Sequence, residues 1–394
     1  MMNATSTRRE LLEGSAAMAL STIAGARPTL ASSPREEVTG QVKPRLPIIC
    51  LEEHVNDPAI AHATMQAFAA QIPYFKGLGS RYREDPARYD PDRPSLTFVP
   101  DSIRTASAPI EQRLAAMDTA GIDMQVLSLS NAPQIAPAGM ANDLIRTAND
   151  RLAEAALRNP GRISAFFTLP WQDPTAAVRE AERCVRELRL PGTLINGRPA
   201  GDKFIDDALY DDVLAELARL NAPIYIHPGA PLAQVQQPYY SGFNPEIDAR
   251  LPLFAWGWHH EAGIQVIRLI LSGALDRHRN LKIISGHWGE MVPFYLQRMD
   301  DTMPPPATGL SRTISQTYRD QVWVGPSGML DLPHFLFVRE VLGIERLVFS
   351  IDYPYLTLNG ARAWLEGLPI SDDEKQAFAW RNASTLLGLD MPGT

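Results

Sequence analysis

Short apolar runs alternating with helical periodicity constrain this chain more than any other feature of its sequence. The runs are Ile48–Leu51, Met124–Leu129, Ile163–Leu169, Gly192–Ile195, Pro223–Ile226, Leu281–Ile284, Gln321–Val324 and Arg346–Phe349. Amphipathic helical patterns separate them at Glu111–Thr119, Asn142–Arg158, Pro174–Leu190, Asp207–Leu220, Ala262–His278 and Leu332–Leu342. Nearly continuous apolar strands with helices between them predict an α/β fold whose parallel sheet is covered by helices. Eight such units close a (β/α)8 TIM barrel. An open doubly wound sheet would carry a glycine-rich phosphate turn after its first strand, and Leu51-Glu52-Glu53-His54 has none. With 394 residues, 45% of them hydrophobic, the chain has the material for one large core.

Residues 48–394 read as that single domain. Ahead of them stand adjacent Arg8 and Arg9, a modest apolar segment from Ala16 to Ala26, and small-residue sites at 24–26 and 30–32. This pattern predicts a twin-arginine-type export signal over 1–32, followed by a linker over 33–47 that contains Pro, Glu and Lys. The expected location is periplasmic or otherwise exported, or cytoplasmic if the signal is not functional. The apolar segment is too short and alanine-rich for stable membrane insertion. Two βα loops are long, 55–108 after the first strand and 229–261 after the fifth, and both are expected over the same barrel mouth. A net charge of −8 argues against a nucleic-acid partner, which requires a basic face. Cys50 and Cys184 read as buried thiols, because two cysteines do not make a disulfide scaffold.

Four strands run directly into ionisable side chains: the first into Glu52-Glu53-His54, the fifth into His227, the sixth into His287 and the eighth into Asp352. In a barrel these ends converge. Glu52 and His54, two apart on a strand, point to one side while Glu53 points away. With His227 and Asp352 they make a mixed nitrogen and oxygen set suited to one divalent ion, Zn²⁺ or Mn²⁺, with positions left for water or substrate. A lone histidine at a strand end is usually a hydrogen-bonded structural residue, so the coincidence on several strands carries this reading. His287 has Glu290 three residues on, placed to raise its pKa and fix its tautomer as an acid/base pair. A structural histidine with a Glu at a helix start is the plainer alternative. Arg298 is a candidate clamp for a substrate carboxylate, and a surface salt bridge would use it equally well. His259 and His260 fall in the loop before the 262–278 pattern and read as solvated or packing residues, with the pocket rim as the exception. Trp256 and Trp258 read as loop packing.

These motifs, with Leu127-Ser128-Leu129-Ser130-Asn131-Ala132-Pro133, Leu169-Pro170-Trp171-Gln172-Asp173-Pro174, Ile226-His227-Pro228, Leu271-Ser272-Gly273, Ser285-Gly286-His287-Trp288-Gly289-Glu290 and Phe349-Ser350-Ile351-Asp352-Tyr353-Pro354, occur in an order that resembles the amidohydrolase superfamily. The resemblance is closest to its metal-dependent decarboxylase branch and covers Ile48 to Leu389. It implies a (β/α)8 barrel, one divalent ion, usually Zn²⁺ or Mn²⁺, and reversible non-oxidative loss of CO₂ from an ortho-hydroxybenzoate. It also implies a small aromatic carboxylic acid as substrate and a homodimer or homotetramer. Carried over by position, Glu52, His54, His227 and Asp352 are the ligands, and Asp352, His287 and Glu290 the catalytic groups. Arg298 and Tyr355 are pocket residues on the same basis.

Hydrolytic members of the superfamily generally resemble one another in carrying His-x-His on the first strand. Glu-x-His adds a second carboxylate, which lowers the ion's Lewis acidity and weakens activation of water. An exported hydrolase of a lactone, ester or amide that uses metal-activated water is the alternative chemistry. Three positions depart from the family pattern: Gly229 replaces the usual Arg after His-Pro, Trp288 a smaller residue, and Val55 a frequent aromatic.

Overall fold

The computed structural model describes residues 45–97 and 99–391, so the expected export signal and residues 33–44 of the linker lie outside the described residues. Strands β1 (Ile49–Val55), β2 (Met124–Leu129) and β3 (Ile163–Ala165) form one parallel ladder. Strands β4 (Thr193–Asn196), β5 (Ile224–His227), β6 (Ile283–Ser285) and β7 (Val322–Val324) form a second. Single bridges join the two: Phe167 pairs with Thr193, Val324 with Leu347, and Tyr353 with Glu53. At these seams Leu194 N, Val348 N and Leu51 N donate to Phe167 O, Val324 O and Phe349 O, each at 3.0 Å. Backbone pairing therefore runs around the ring and returns the last run to the first strand, the (β/α)8 arrangement.

The eighth run differs from its expected extent. Ile344–Arg346 is a 3-10 turn entered through Gly343 at φ 86°, and the Arg346 guanidinium sits 4.3 Å over the Trp323 ring. Only Leu347 bridges to β7. The expected helix at 262–278 is two pieces, Gly257–Leu271 and Ala274–Arg277, separated by Gly273 at φ 74°. Its earlier start moves His259 and His260 out of a loop and into the helix, a correction that matters below.

The strands are buried on both faces, as a barrel requires, except that Trp323 of β7 and the last residues of β1, β4 and β5 are partly exposed. One cluster inside the ring takes Ile49, Leu51, Met124, Val126, Phe166, Leu194, Tyr225, Ile284 and Val348, closed below by Ala383, Leu386 and Leu387 of the C-terminal helix Asn382–Leu387. The larger cluster lies between ring and helices and includes Cys50; both cysteines are buried and free. Alternation from Ile49 and Leu51 would next turn Glu53 inward. Instead, the pairing of β1 with β2 slips by one residue between Cys50 and Glu53. This extra residue reverses the alternation, so Glu52 and His54 face the interior while Glu53 joins Arg113 outside.

The long excursions hold structure of their own. The first contains helix Pro58–Gln71, capped by Asp57, which accepts from Ala59 N at 2.9 Å. The second contains helices Ala233–Tyr240 and Pro245–Arg250. Glu246 joins the two, accepting from Gly79 N at 3.2 Å, Arg81 N at 2.9 Å and Arg250 Nε at 2.7 Å. Among the described residues no helix is long and apolar enough to cross a membrane.

Candidate active site

Glu52, His54, His227 and Asp352 come together at the ends of β1 and β5 and of the eighth run. Each of the first three has one polar atom engaged elsewhere. Glu52 Oε2 accepts from the Tyr225 hydroxyl at 2.6 Å and from the Ser327 hydroxyl. His54 Nδ1 lies 3.0 Å from Ser128 Oγ, and His227 Nδ1 lies 2.9 Å from Pro228 O. The atoms left over face one another: His54 Nε2 is 3.0 Å from Asp352 Oδ1, and His227 Nε2 is 3.6 Å from Glu52 Oε1. One donor atom from each residue lies within 4.8 Å of the others. Donors about 2.1 Å from a tetrahedral ion stand roughly 3.4 Å apart, so the spacing fits.

Buried polar atoms without partners are costly, and Glu52 Oε1, His54 Nε2 and Asp352 Oδ1 are all three of this kind. A divalent cation satisfies them together. Protonation states agree: burial, with His54 and His287 adding to it, pushes the His227 pKa well below the ordinary value, which keeps the imidazole neutral and able to ligate. Burial raises the Glu52 pKa, an effect that a neighbouring cation would reverse.

Asp352 stands in the left-handed region at φ 68°. Its segment is tied to β1 from both sides: Ile351 N donates to Glu53 Oε1 at 3.1 Å and His54 N to Tyr353 O at 2.6 Å. Glu53 is itself held by Gln125 Nε2 at 3.0 Å, and Gln125 by Arg113 Nη1 at 2.9 Å. Glu53, which faces away from the site, thus helps to hold Asp352 through its neighbour Ile351.

His287 and Glu290 are not at an ordinary helix start. His287, Trp288, Gly289, Glu290 and Met291 all have positive φ, between 45° and 79°. Left-handed backbone costs roughly 1–2 kcal/mol per non-glycine residue, so tertiary contacts must hold this turn. They are His287 N to Ser327 Oγ at 2.9 Å, Trp288 N to Gly325 O at 2.8 Å and Trp288 Nε1 to Met329 O at 2.7 Å. The turn brings His287 Nδ1 to 2.8 Å from Glu290 Oε1. Burial opposes the imidazolium, but the carboxylates of Glu290, Glu52 and Asp352 outweigh it and raise the His287 pKa to about 10. The Glu290 carboxyl is lowered despite burial, by His287 and His259.

Tyr355 lies at the same site, its ring 5.5 Å from that of His54, and burial lifts its phenol to about 12. Arg298 is not brought in. It is exposed on helix Val292–Thr302, among side chains that face outward. His259 is the residue missed from sequence: its Nδ1 is 2.8 Å from Glu290 Oε2. Trp258, 6.5 Å from His227 in a T-shaped contact, forms an aromatic wall with Phe254, whereas Trp256 is exposed against His260.

Two of the three departures have local causes. A Cβ on Gly229 would lie 2.4 Å from Gly197 Cα, so the backbones of the loops after β4 and β5 meet where no side chain fits. Trp288 turns away from the ligand cluster, stacking on Phe378 and packing edge-on to Phe335.

Residues 95–389 match the Amidohydrolase family. The γ-resorcylate decarboxylase of Rhodococcus jostii is 34% identical over 316 residues, covering 75% of this chain and 94% of that protein. The crystal structure of 5-carboxyvanillate decarboxylase from Sphingomonas paucimobilis superposes with a TM-score of 0.75 at 31% identity, covering 88% of this chain and 100% of that one. A dihydroxybenzoic acid decarboxylase from a Polaromonas species, solved with bound manganese and the inhibitor 2-nitroresorcinol, superposes with a TM-score of 0.73 at 28% identity, covering 87% and 97%. With its barrel, its converging donors and a family match spanning most of its length, the chain belongs to the amidohydrolase family.

Proposed function

We propose that this protein is a metal-dependent, non-oxidative decarboxylase of an ortho-hydroxybenzoate, a carbon–carbon lyase that uses manganese or zinc. The observation that carries the reading is the pairing of two carboxylates and two imidazoles around one point with a buried His287–Glu290 dyad beside them. Glu52, His54, His227 and Asp352 would hold the ion. When bound, it supplies positive charge that gathers the substrate's phenolate and carboxylate oxygens and stabilises charge developing on the ring.

The four ligands cancel the ion's charge, so an anionic substrate needs another cation. His287 supplies it: its Nδ1 faces Glu290 Oε1 at 2.8 Å, and that buried carboxylate favours the imidazolium. Asp352 would take up the proton released as the substrate's phenol ionises and pass it to the carboxyl-bearing ring carbon, and the product phenolate regains a proton from solvent. The carbon–carbon bond then breaks as aromaticity returns, and CO₂ leaves. Tyr355, protonated at neutral pH, donates a hydrogen bond at the pocket edge, and Trp258 presents a flat apolar wall to the ring. Residues 1–32 direct the chain out of the cytoplasm on this reading.

The test is incubation of the enzyme, loaded separately with manganese and zinc, with γ-resorcylate, 5-carboxyvanillate and salicylate, followed by chromatography of the phenols. Metal-dependent phenol formation is expected. Turnover of esters or lactones instead, with no phenol from any acid, would favour hydrolysis by metal-activated water.

A further inference from the structure

Glu290 is buried, and each of its oxygens faces an imidazole: Oε1 lies 2.8 Å from His287 Nδ1 and Oε2 lies 2.8 Å from His259 Nδ1. The two rings stand 4.5 Å apart and are steeply inclined at 66°. They come from separate elements, His287 from the left-handed turn after β6 and His259 from the first turn of helix Gly257–Leu271. That helix approaches the turn closely because Gly263, one turn beyond His259, has no side chain; a Cβ there would lie 2.7 Å from Glu290 O.

The far side of His259 is also engaged. The Trp258 indole N–H lies 3.1 Å from His259 Nε2, and Phe254 O lies 3.3 Å from the same nitrogen. A carboxylate oxygen can only accept, so the hydrogen bond between His259 Nδ1 and Glu290 Oε2 is donated by His259. Glu290 therefore receives one hydrogen bond from His259 and one from His287.

We propose that His259 is a positioning residue for the acid/base dyad: by occupying Glu290 Oε2 it fixes the carboxylate so that Oε1 is presented to His287. This rests on the reading of His287 and Glu290 as catalytic groups. A carboxylate with one free oxygen can rotate or take water on that side. A carboxylate bonded at both ends cannot, and the imidazole it orients keeps one tautomer and one direction.

The experiment compares H259F and H259N in the manganese-loaded enzyme with γ-resorcylate as substrate. Phenylalanine keeps the bulk and removes the donor; asparagine loses bulk but places an amide N–H near the Nδ1 position. H259F is expected to lower kcat by about 10–100-fold with KM changed less than about threefold, and H259N to recover most of that loss. A pure packing role gives the reverse order, with H259F near wild type and H259N impaired, and either that order or equal losses overturns the proposal.

A second measurement does not depend on turnover, and its wild-type part does not depend on a variant folding. Proton spectra of the protein with nitrogen-labelled histidine are expected to show two low-field imidazole N–H signals from the pair bound to Glu290, with one lost in H259F. A single such signal in the wild type overturns the shared carboxylate. Two signals in a protein inactive on every aromatic acid would leave the arrangement standing and sink the decarboxylase reading instead.

Discussion

The Tyr225 hydroxyl donates a 2.6 Å hydrogen bond to Glu52 Oε2, and that bond determines which oxygen of Glu52 faces His54, His227 and Asp352. Tyr225 is fully buried, and phenylalanine fills the same space. Y225F is therefore expected to keep the fold and weaken metal binding by about 10–100-fold, the usual cost of losing an outer partner of a ligand. Competition against a chelator of known affinity measures it, and an unchanged metal affinity would show that Ser327 alone orients the carboxylate.

The His287 pair makes the stability of the metal-free protein depend on pH. Burial disfavours the imidazolium, yet Glu290, Glu52 and Asp352 raise its pKa from 6.5 to about 10. The folded state thus binds this proton more tightly than the unfolded chain. Its contribution is complete below about 6.5 and is lost as pH rises through about 10. Denaturant midpoints taken across that window are expected to fall in the wild type and to fall less in H287Q. Parallel slopes would contradict the assignment.

Gly229 marks a close backbone contact. In G229A the new Cβ meets Gly197 Cα at 2.4 Å and Gly197 N at 2.9 Å, and main chain must move. The expected cost is about 1–3 kcal/mol in urea unfolding. A variant as stable as the wild type would mean that the loops after β4 and β5 separate freely.

What the sequence made legible, and what it did not, divides along the range of the interactions. β2 was readable to the residue, Met124–Leu129, because an apolar run buried on both faces carries its own signal. The four clustered donors were readable because strand ends converge in any barrel. The slip in β1 was not, since Glu52 reaches the interior through a pairing irregularity with β2 rather than through its own pattern. His259 was missed because Gly257-Trp258-His259-His260 reads as a loop. Its partner Glu290 lies 31 residues away, brought close by a left-handed turn that no local preference predicts. The one available signal was helical periodicity extended backward from Ala262, which places His259 one turn before Gly263 and on the same face. Arg298 was singled out by position along its helix, and its exposure shows that position alone does not bring a side chain to the site within one chain.

Export is testable apart from catalysis. Replacing both Arg8 and Arg9 by Lys in the full chain is expected to move the protein from the periplasmic to the cytoplasmic fraction of a bacterial host, with immunoblotting of the fractions as the readout. An unaltered distribution would remove the twin-arginine reading of residues 1–32.

The central claim is that Asp352 protonates the ring carbon from which CO₂ departs, at a site that works only with a divalent ion. Carboxyl-labelled γ-resorcylate incubated with the manganese-loaded enzyme in deuterium oxide tests both parts at once. The expected products are labelled CO₂ and a phenol carrying one deuterium at the carbon that lost the carboxylate. Chelation is expected to abolish both, and the folded D352N variant to lose at least about 100-fold in rate. Label retained in the acid by a metal-loaded wild-type enzyme, or undiminished turnover in D352N, would contradict it.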